Sequence, residues 1–183
     1  MSNFQRSSCK VETNQEIGLP LLMWRDDDGQ PMAAGASAGK FGQSVGGWGT
    51  GGIVLVGELA NANTKTDQAF FELVLPQNYE AGTDLTVVVQ ARVGAVLNTA
   101  ATLDFEAYLS NENGGVGSDI CATTAQSINS ATWAEYSFTI TGTTLSPGRT
   151  IELYMQGVAN DSGGTTNNGI QIGRVYYKTS TRM

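Results

Sequence analysis

Carboxylates are the side chains whose spacing in this sequence first suggests chemistry. Asp104-Phe105-Glu106 places two of them on one face of a predicted strand, about 7 Å apart by strand geometry. Two carboxylic acids suffice to hydrolyse a glycosidic bond. The alternative is the solvated face of an exposed strand. No second acidic pair or aromatic run supports the enzyme, so we expect no catalytic residue.

The chain contains no histidine, which removes Ser-His-Asp and Cys-His catalysis and the commonest zinc ligand. Gly47–Gly52 matches a GxGxxG pattern, but a dinucleotide site needs a strand before it and a helix after it. Gly35–Lys40 is one residue short of a phosphate loop, and Phe41 follows where Ser or Thr should stand. Neither segment predicts a nucleotide site.

The run Asp26-Asp27-Asp28-Gly29 raises the question of calcium, which favours clustered carboxylates in a tight turn. The spacing of an EF-hand loop is absent. An acidic turn is therefore the favoured interpretation, and we expect no metal and no cofactor.

Three aromatic residues form a candidate glycan-binding set, namely Tyr108, Trp133 and Tyr154. Tyr108 and Tyr154 fall at outward positions of their predicted strands, and Trp133 begins another. Outward aromatic side chains also cover subunit interfaces, where Tyr and Trp are enriched. The sequence alone leaves open whether the three side chains meet.

The composition limits the classes of partner that the chain can bind. The net charge is -7, and the ten basic residues are scattered singly, whereas binding to nucleic acid requires clustered Lys and Arg. The start of the chain lacks the pattern of a signal peptide, and no apolar run is long enough for a membrane span. We expect a protein made in a cytoplasm, without nucleic-acid or membrane partners. Cys9 and Cys121 do not suggest a disulfide framework.

Strict alternation of apolar and polar residues is the strongest structural signal. About seven strands are predicted, Leu19–Trp24 is a possible eighth, and Gly- or Pro-containing turns separate them. No segment shows a sustained helical period. This pattern predicts an all-β, antiparallel β-sandwich of the jelly-roll type, with about eight strands. The strands are expected at 52–59, 69–75, 85–93, 103–109, 134–140, 151–156 and 169–178.

Residues 1–51 are of another kind, because Gly and Ala dominate from Pro31 to Gly52. Such a segment cannot build a core alone. We interpret it as a partly extended N-terminal arm, followed by the sandwich domain at 52–183. The arm is expected to lie on its own domain, on a neighbouring subunit or on a partner. Its aromatic residues are the candidate partner contacts, namely Trp24, Phe41 and Trp48.

The segment between two of the predicted strands has a distinctive sequence pattern. Leu75-Pro76 ends an apolar strand, Tyr79 follows, and Gly82-Thr83 opens the next strand. Together with the strands up to Lys178, this sequence pattern resembles that of the jelly-roll proteins of tailed bacteriophage virions. The resemblance implies a capsid decoration or head-stabilising protein, commonly a homotrimer, that contacts the major capsid protein at the capsid surface after assembly in the host cytoplasm.

The first hypothesis is thus a non-enzymatic virion structural protein. The alternative is a carbohydrate-binding or adhesive β-sandwich module of a tail or fibre. A carboxylate-based enzyme is the third.

Overall fold

Two antiparallel sheets packed face to face make up the protein in our computed structural model, which describes residues 12–45, 52–97, 99–111, 115–162 and 168–182. The predicted antiparallel β-sandwich of the jelly-roll type is confirmed. Among the described residues, no helix is long and apolar enough to cross a membrane. The short helical segments in this part of the chain are two 3₁₀ turns, at Leu21–Met23 and Gly142–Thr144.

Sheet A has the strand order β2-β3-β11-β5-β9, and β1 pairs with the later part of β11. Its strands are β1 (Glu12–Gly18), β2 (Gly42–Val45), β3 (Ile53–Val56), β5 (Leu85–Val93), β9 (Ala134–Ile140) and β11 (Ile170–Arg182). The apolar strand β3 lies inside this sheet, between β2 and β11.

Sheet B has the order β4-β10-β6-β7, and β8 also pairs with β6. Its strands are β4 (Thr64–Val74), β6 (Ala100–Ser110), β7 (Val116–Asp119), β8 (Gln126–Ser127) and β10 (Thr150–Asn160). The three long strands β4, β10 and β6 pair over most of their length, so side chains on them form regular rows.

The core lies between the sheets and includes the inward positions that the alternation predicted. Leu103, Phe105 and Ala107 of β6 face inward, as do Leu153 and Met155 of β10, and all five are buried. Burial of such apolar side chains is the main stabilising term of the fold.

The predicted eighth strand at Leu19–Trp24 is wrong, because Leu21–Met23 forms a 3₁₀ turn. The strand in this region is β1, seven residues earlier at its start, which the polar sequence ETNQEIG hid from a search for apolar alternation. It is recruited by backbone pairing with β11, from Glu12 opposite Arg182 to Gly18 opposite Tyr176.

The described part of the predicted arm lies on its own domain, which was one of its three expected locations. It contributes β1 and β2, and the predicted boundary between residues 51 and 52 falls between two strands that pair directly, β2 and β3. Residues 24–41 also cover the edge of β4. The backbone N–H groups of Arg25 and Phe70 each donate to the other residue's carbonyl at 2.8 Å, and Gln68 N–H donates to Gly39 O at 3.1 Å. Edge coverage of this kind protects a sheet from unwanted pairing.

Candidate functional site

Two of the three predicted glycan-binding residues, Tyr108 and Tyr154, lie on the outer side of sheet B. Tyr154 is directly opposite Phe70 of β4 on one side and Glu106 of β6 on the other. The rings of Phe70 and Tyr154 are in contact, with centroids 4.7 Å apart and an interplanar angle of 59°. The side chains of Phe70, Tyr108 and Tyr154 are all half-buried, so part of each ring is open to a ligand.

We call this outer side of sheet B the aromatic face. Around the rings it carries side-chain amides and carboxylates, which together can donate and accept hydrogen bonds. In addition to Phe70, Tyr108 and Tyr154, the aromatic face comprises Gln68, Glu72, Asp104, Glu106, Asp119, Glu152 and Gln156.

Hydrogen bonds hold the tyrosines in place. The Tyr108 hydroxyl donates to a carboxylate oxygen of Glu106, and Gln156 Nε2 donates to the Tyr154 hydroxyl at 3.2 Å. The bond to Glu106 raises the pKa of Tyr108, with burial adding to it. Burial is the main cause that raises the pKa of Tyr154. Both phenols are therefore neutral at ordinary pH and keep a hydroxyl proton.

A turn formed by Arg25–Pro31 stands beside the edge of β4. The Asp26 side chain organises it, because Oδ1 accepts from the N–H groups of Asp28 at 3.1 Å and Gln30 at 2.8 Å. Such bonds from an Asp side chain to nearby N–H groups are typical of tight turns. The result is a wall along one side of the aromatic face.

The acidic turn predicted at Asp26-Asp27-Asp28 brings its carboxylate oxygens within 4.8 Å of one another. The ammonium of Lys40 lies among them, 3.3 Å from Asp26 and 2.9 Å from Asp27, and it also pairs with Asp28. These three carboxylates raise the pKa of Lys40. A lysine thus supplies the positive charge that the acidic turn attracts.

A cavity of about 630 Å³ opens between this wall and the aromatic face. Its lining combines apolar side chains, three aromatic rings and charged groups, a mixture suited to an amphipathic ligand. The residues that line it are Leu22, Met23, Trp24, Arg25, Asp26, Asp27, Gly29, Pro31, Phe70, Phe71, Glu72 and Glu152.

Trp133 does not join the two tyrosines, because it lies on the outer side of sheet A. Its ring rests on Gly173, where an added Cβ would be 3.0 Å from Trp133 Cζ3. The Arg92 guanidinium lies 4.6 Å from the ring centroid, and Arg92 Nε also donates to Gln171 Oε1 at 2.8 Å. The three candidate residues are therefore divided between opposite sides of the sandwich.

The arm residues Trp24 and Phe41 are buried in the core. The Trp24 ring contacts Phe71, with centroids 5.3 Å apart, and lies edge-on to Phe105 at 6.4 Å. Phe41 packs over Gly157, where a Cβ would come within 2.8 Å of its ring. Because both side chains pack against their own domain, they offer no surface for the partner contacts predicted for them. Trp48, the third predicted partner residue, lies outside the described residues.

Asp104 and Glu106 do share the outer side of β6, as their spacing predicted. Each already accepts a hydrogen bond: Asp104 Oδ1 from the N–H of Phe105 at 2.9 Å, and Glu106 from Tyr108. They stand within the aromatic face, so they are placed to accept hydrogen bonds from a ligand there.

Phe70 was missed as a site residue. The signal was present, because Phe70 and Phe71 are neighbours in one strand and must point to opposite sides of the sheet. Phe71 is in the core. Phe70 therefore has to face outward beside the residues of β10.

The sequence pattern of the segment from Leu75 to Thr83 has a structural explanation. Tyr79 is buried and its hydroxyl donates to the carbonyl of Thr83. The Thr83 hydroxyl donates to Glu80 O at 2.8 Å, and Gly82 takes a positive φ of 80°, which favours glycine. These contacts lock the connection from β4 to β5.

Neither the comparison with protein-family models nor that with curated proteins finds a match. Among solved structures, the xylan-binding module CBM15 is similar over 91% of this chain and 97% of its own, with a TM-score of 0.50 and 16% identity. The chain shares the fold of this module. The CBM22-2 xylan-binding domain from Paenibacillus barcinonensis is also similar, over 90% of this chain and 98% of its own, with a TM-score of 0.49 and 10% identity. At 16% identity the similarity to CBM15 concerns the fold alone.

Proposed function

We propose that this chain is a non-catalytic carbohydrate-binding domain that holds a glycan on its aromatic face. The observation that carries the proposal is the contact between Phe70 and Tyr154 on an open sheet surface, with Tyr108 close by and amide and carboxylate groups around them. This proposal corresponds to the alternative hypothesis of the sequence analysis, a carbohydrate-binding or adhesive β-sandwich module.

The physical reason is that a sugar ring has apolar C–H surfaces and a rim of hydroxyl groups. An aromatic ring can cover the apolar surface, while neighbouring side chains exchange hydrogen bonds with the hydroxyl groups. Gln68 and Gln156 offer both donors and acceptors, and Glu106 and Asp104 offer acceptors. Their places in adjacent strands surround the ring pair on the same surface.

The fold supports the proposal at the level of class. The module with the same fold is named for binding xylan. Binding by the present chain, in contrast, is inferred from its own aromatic face and from the cavity beside it.

The first test is a broad glycan array, followed by calorimetric titration of the best oligosaccharide with the intact chain. Tyr154→Ala should weaken binding about tenfold or more, since loss of one well-packed aromatic contact is worth about 1.5 kcal/mol. Trp133→Ala is the matched control, because it removes an aromatic side chain from the opposite sheet. An array without signal, or equal losses in the two variants, would contradict the proposal. Circular dichroism confirms that each variant is folded.

A second candidate, the virion structural protein, is favoured by one observation. Leu22 and Met23 are consecutive and are 54% and 62% exposed, which is typical of residues that become covered in an assembly. Sedimentation of the intact chain should then give a trimer, and Leu22→Ser with Met23→Ser should dissociate it. A monomer at high concentration would count against this candidate.

A further inference from the structure

The strands of the aromatic face carry an excess of negative charge. Five carboxylates occupy outward positions there, while the outward positions of β4, β6, β7 and β10 include no Lys or Arg among the described residues. Lys65 of β4 is at an inward position and pairs with Glu58 at 2.9 Å. The five carboxylates are Glu72, Asp104, Glu106, Asp119 and Glu152.

None of these five carboxylates forms an ion pair within the described part of the chain. Glu106 accepts from a neutral phenol, and Asp119 accepts from the N–H groups of Ala107 and Cys121, both at 2.9 Å. Within the described residues, their charges are therefore not balanced by a paired cation.

The charged groups of the wall do not make the net charge around the aromatic face positive. Lys40 is outnumbered by the three carboxylates that surround it. Among the described residues that line the cavity, Arg25 is the one cation, and it donates to Gly29 O at 2.9 Å. Four carboxylates share that lining, two from the wall and two from the sheet: Asp26, Asp27, Glu72 and Glu152.

The negative charges converge on the aromatic centre. After burial, the causes that raise the pKa of Tyr154 are the charges of Glu106 and Asp104, from β6, and of Asp27, from the wall. Tyr154 therefore lies between acidic groups that approach it from opposite sides. A ligand that stacks on this ring comes within their field.

We propose that the glycan bound by the aromatic face is cationic, a chain of sugar rings with protonated primary amines, as in an oligomer of glucosamine. This rests on the proposed function. The rings pack on Phe70 and Tyr154, and the ammonium groups pair with the unbalanced carboxylates. Charge-assisted hydrogen bonds to carboxylates are stronger than neutral ones, whereas a glycan that carries carboxylates of its own is repelled.

The test is calorimetric titration of the intact chain at about pH 5.5, where sugar amines are protonated and ordinary carboxyl groups are ionised. The probes are a glucosamine hexamer, its N-acetylated counterpart and a neutral xylose hexamer. The glucosamine hexamer should bind about tenfold more tightly than either neutral probe at low salt. The preference should fall when salt is raised to about 0.5 M, because salt screens exposed charges.

Two variants locate the effect. Glu152→Gln and Glu72→Gln should each weaken binding of the glucosamine hexamer about two- to fivefold, as expected for exposed charge pairs, and should weaken the neutral probes less, because the amide loses the charge but keeps a hydrogen-bonding oxygen. Glu16→Gln is the matched control, since it removes one carboxylate from sheet A. Tyr154→Ala should weaken every probe that binds.

The outcomes separate the two proposals. Equal, Tyr154-dependent binding of neutral and amino oligomers overturns the cationic ligand and leaves the carbohydrate-binding function standing. Binding of the glucosamine hexamer that is unaffected by Tyr154→Ala reveals charge attraction alone and also overturns the inference. If none of these oligomers binds and the glycan array is silent, both proposals fail.

Discussion

Asp67 is a buried carboxyl group on the inner side of β4, and its stability contribution should depend on pH. Oδ2 accepts from the N–H of Glu58 at 3.0 Å, while Oδ1 has no hydrogen-bond partner among the described residues. Gly57 leaves the necessary space, because a Cβ there would lie 2.6 Å from Oδ2. Burial raises the pKa of Asp67 from 3.8 to about 6, against the opposing effect of the bond from Glu58.

The raised pKa of Asp67 determines how this group changes the stability with pH. Below about pH 3.8 the group is protonated in both the folded and the unfolded chain, so it imposes no penalty. Above about pH 6 it is ionised in both, and the folded state bears the full cost of a buried charge. A shift of about two pKa units corresponds to about 3 kcal/mol. The stability from this group is therefore lost as the pH rises from about 4 to about 6.

The perturbation is Asp67→Asn, which keeps the shape and an acceptor for Glu58 N–H but cannot ionise. We expect the free energy of unfolding of the native chain to fall by about 2–3 kcal/mol relative to the variant between about pH 4 and pH 7. Urea unfolding followed by tryptophan fluorescence at several pH values measures this difference. Parallel stability curves for the two proteins would refute the reasoning.

Glu58 changes the stability with pH in the opposite direction, so it needs its own control. The bond from Lys65 is the main cause that lowers the pKa of Glu58, with the N–H of Gly39 adding to it. Its contribution is present above its unfolded pKa of about 4.5 and is lost as the pH falls. Since Asp67→Asn leaves Glu58 in place, the difference between the two proteins removes most of this effect, and Glu58→Gln measures what is left.

Three further predictions test the core, the β4–β5 connection and the assignment of the faces. Trp24→Ala should lower the free energy of unfolding by about 3–5 kcal/mol, because it empties a fully buried site between Phe71 and Phe105; urea unfolding followed by circular dichroism measures it, and a loss below about 1 kcal/mol would contradict the packing. Tyr79→Phe should cost about 1 kcal/mol through the lost hydrogen bond to Thr83 O, and an unchanged melting temperature would count against that bond. Trp133→Ala should leave glycan affinity within about twofold, and a larger loss in titration would transfer the site to sheet A.

The parts of the fold that could be predicted are those where one strand face is apolar. In β5, β6, β9 and β10 the alternation identified the strands and their buried sides, because water and core select side chains two residues apart. The same method could not find β1, whose only large apolar residue is Ile17 and whose position depends on backbone pairing with β11. The Gly- and Ala-rich segment was misleading for a similar reason, since its role as cover for β4 depends on main-chain hydrogen bonds.

For the candidate site, the sequence could predict which side of its strand each tyrosine occupies but not which residues it meets. Tyr154 and Glu106 are 48 positions apart along the chain, and only the register of β10 on β6 makes them neighbours. Trp133 shows the limit of the method, because its outward position is compatible with either sheet. Its place on sheet A is fixed by Gly173, which leaves room for the ring.

The contrast between the two outer surfaces explains why the site is assigned to sheet B. On sheet A the outer sides of the Trp133 and Tyr176 rings are already covered by the chain itself, since Arg92 lies 4.6 Å from the ring centroid of Trp133 and Arg174 lies 4.2 Å from that of Tyr176. Within the described residues, no cation covers Phe70 or Tyr154 in this way. A ligand on sheet A would have to displace existing cation–π contacts, whereas a ligand on sheet B finds the rings open and the neighbouring acceptors without a cation. Adding such a cover, for example by Gln68→Arg beside Phe70, should therefore weaken glycan binding while the free energy of unfolding stays the same, and titration together with urea unfolding would show whether it does.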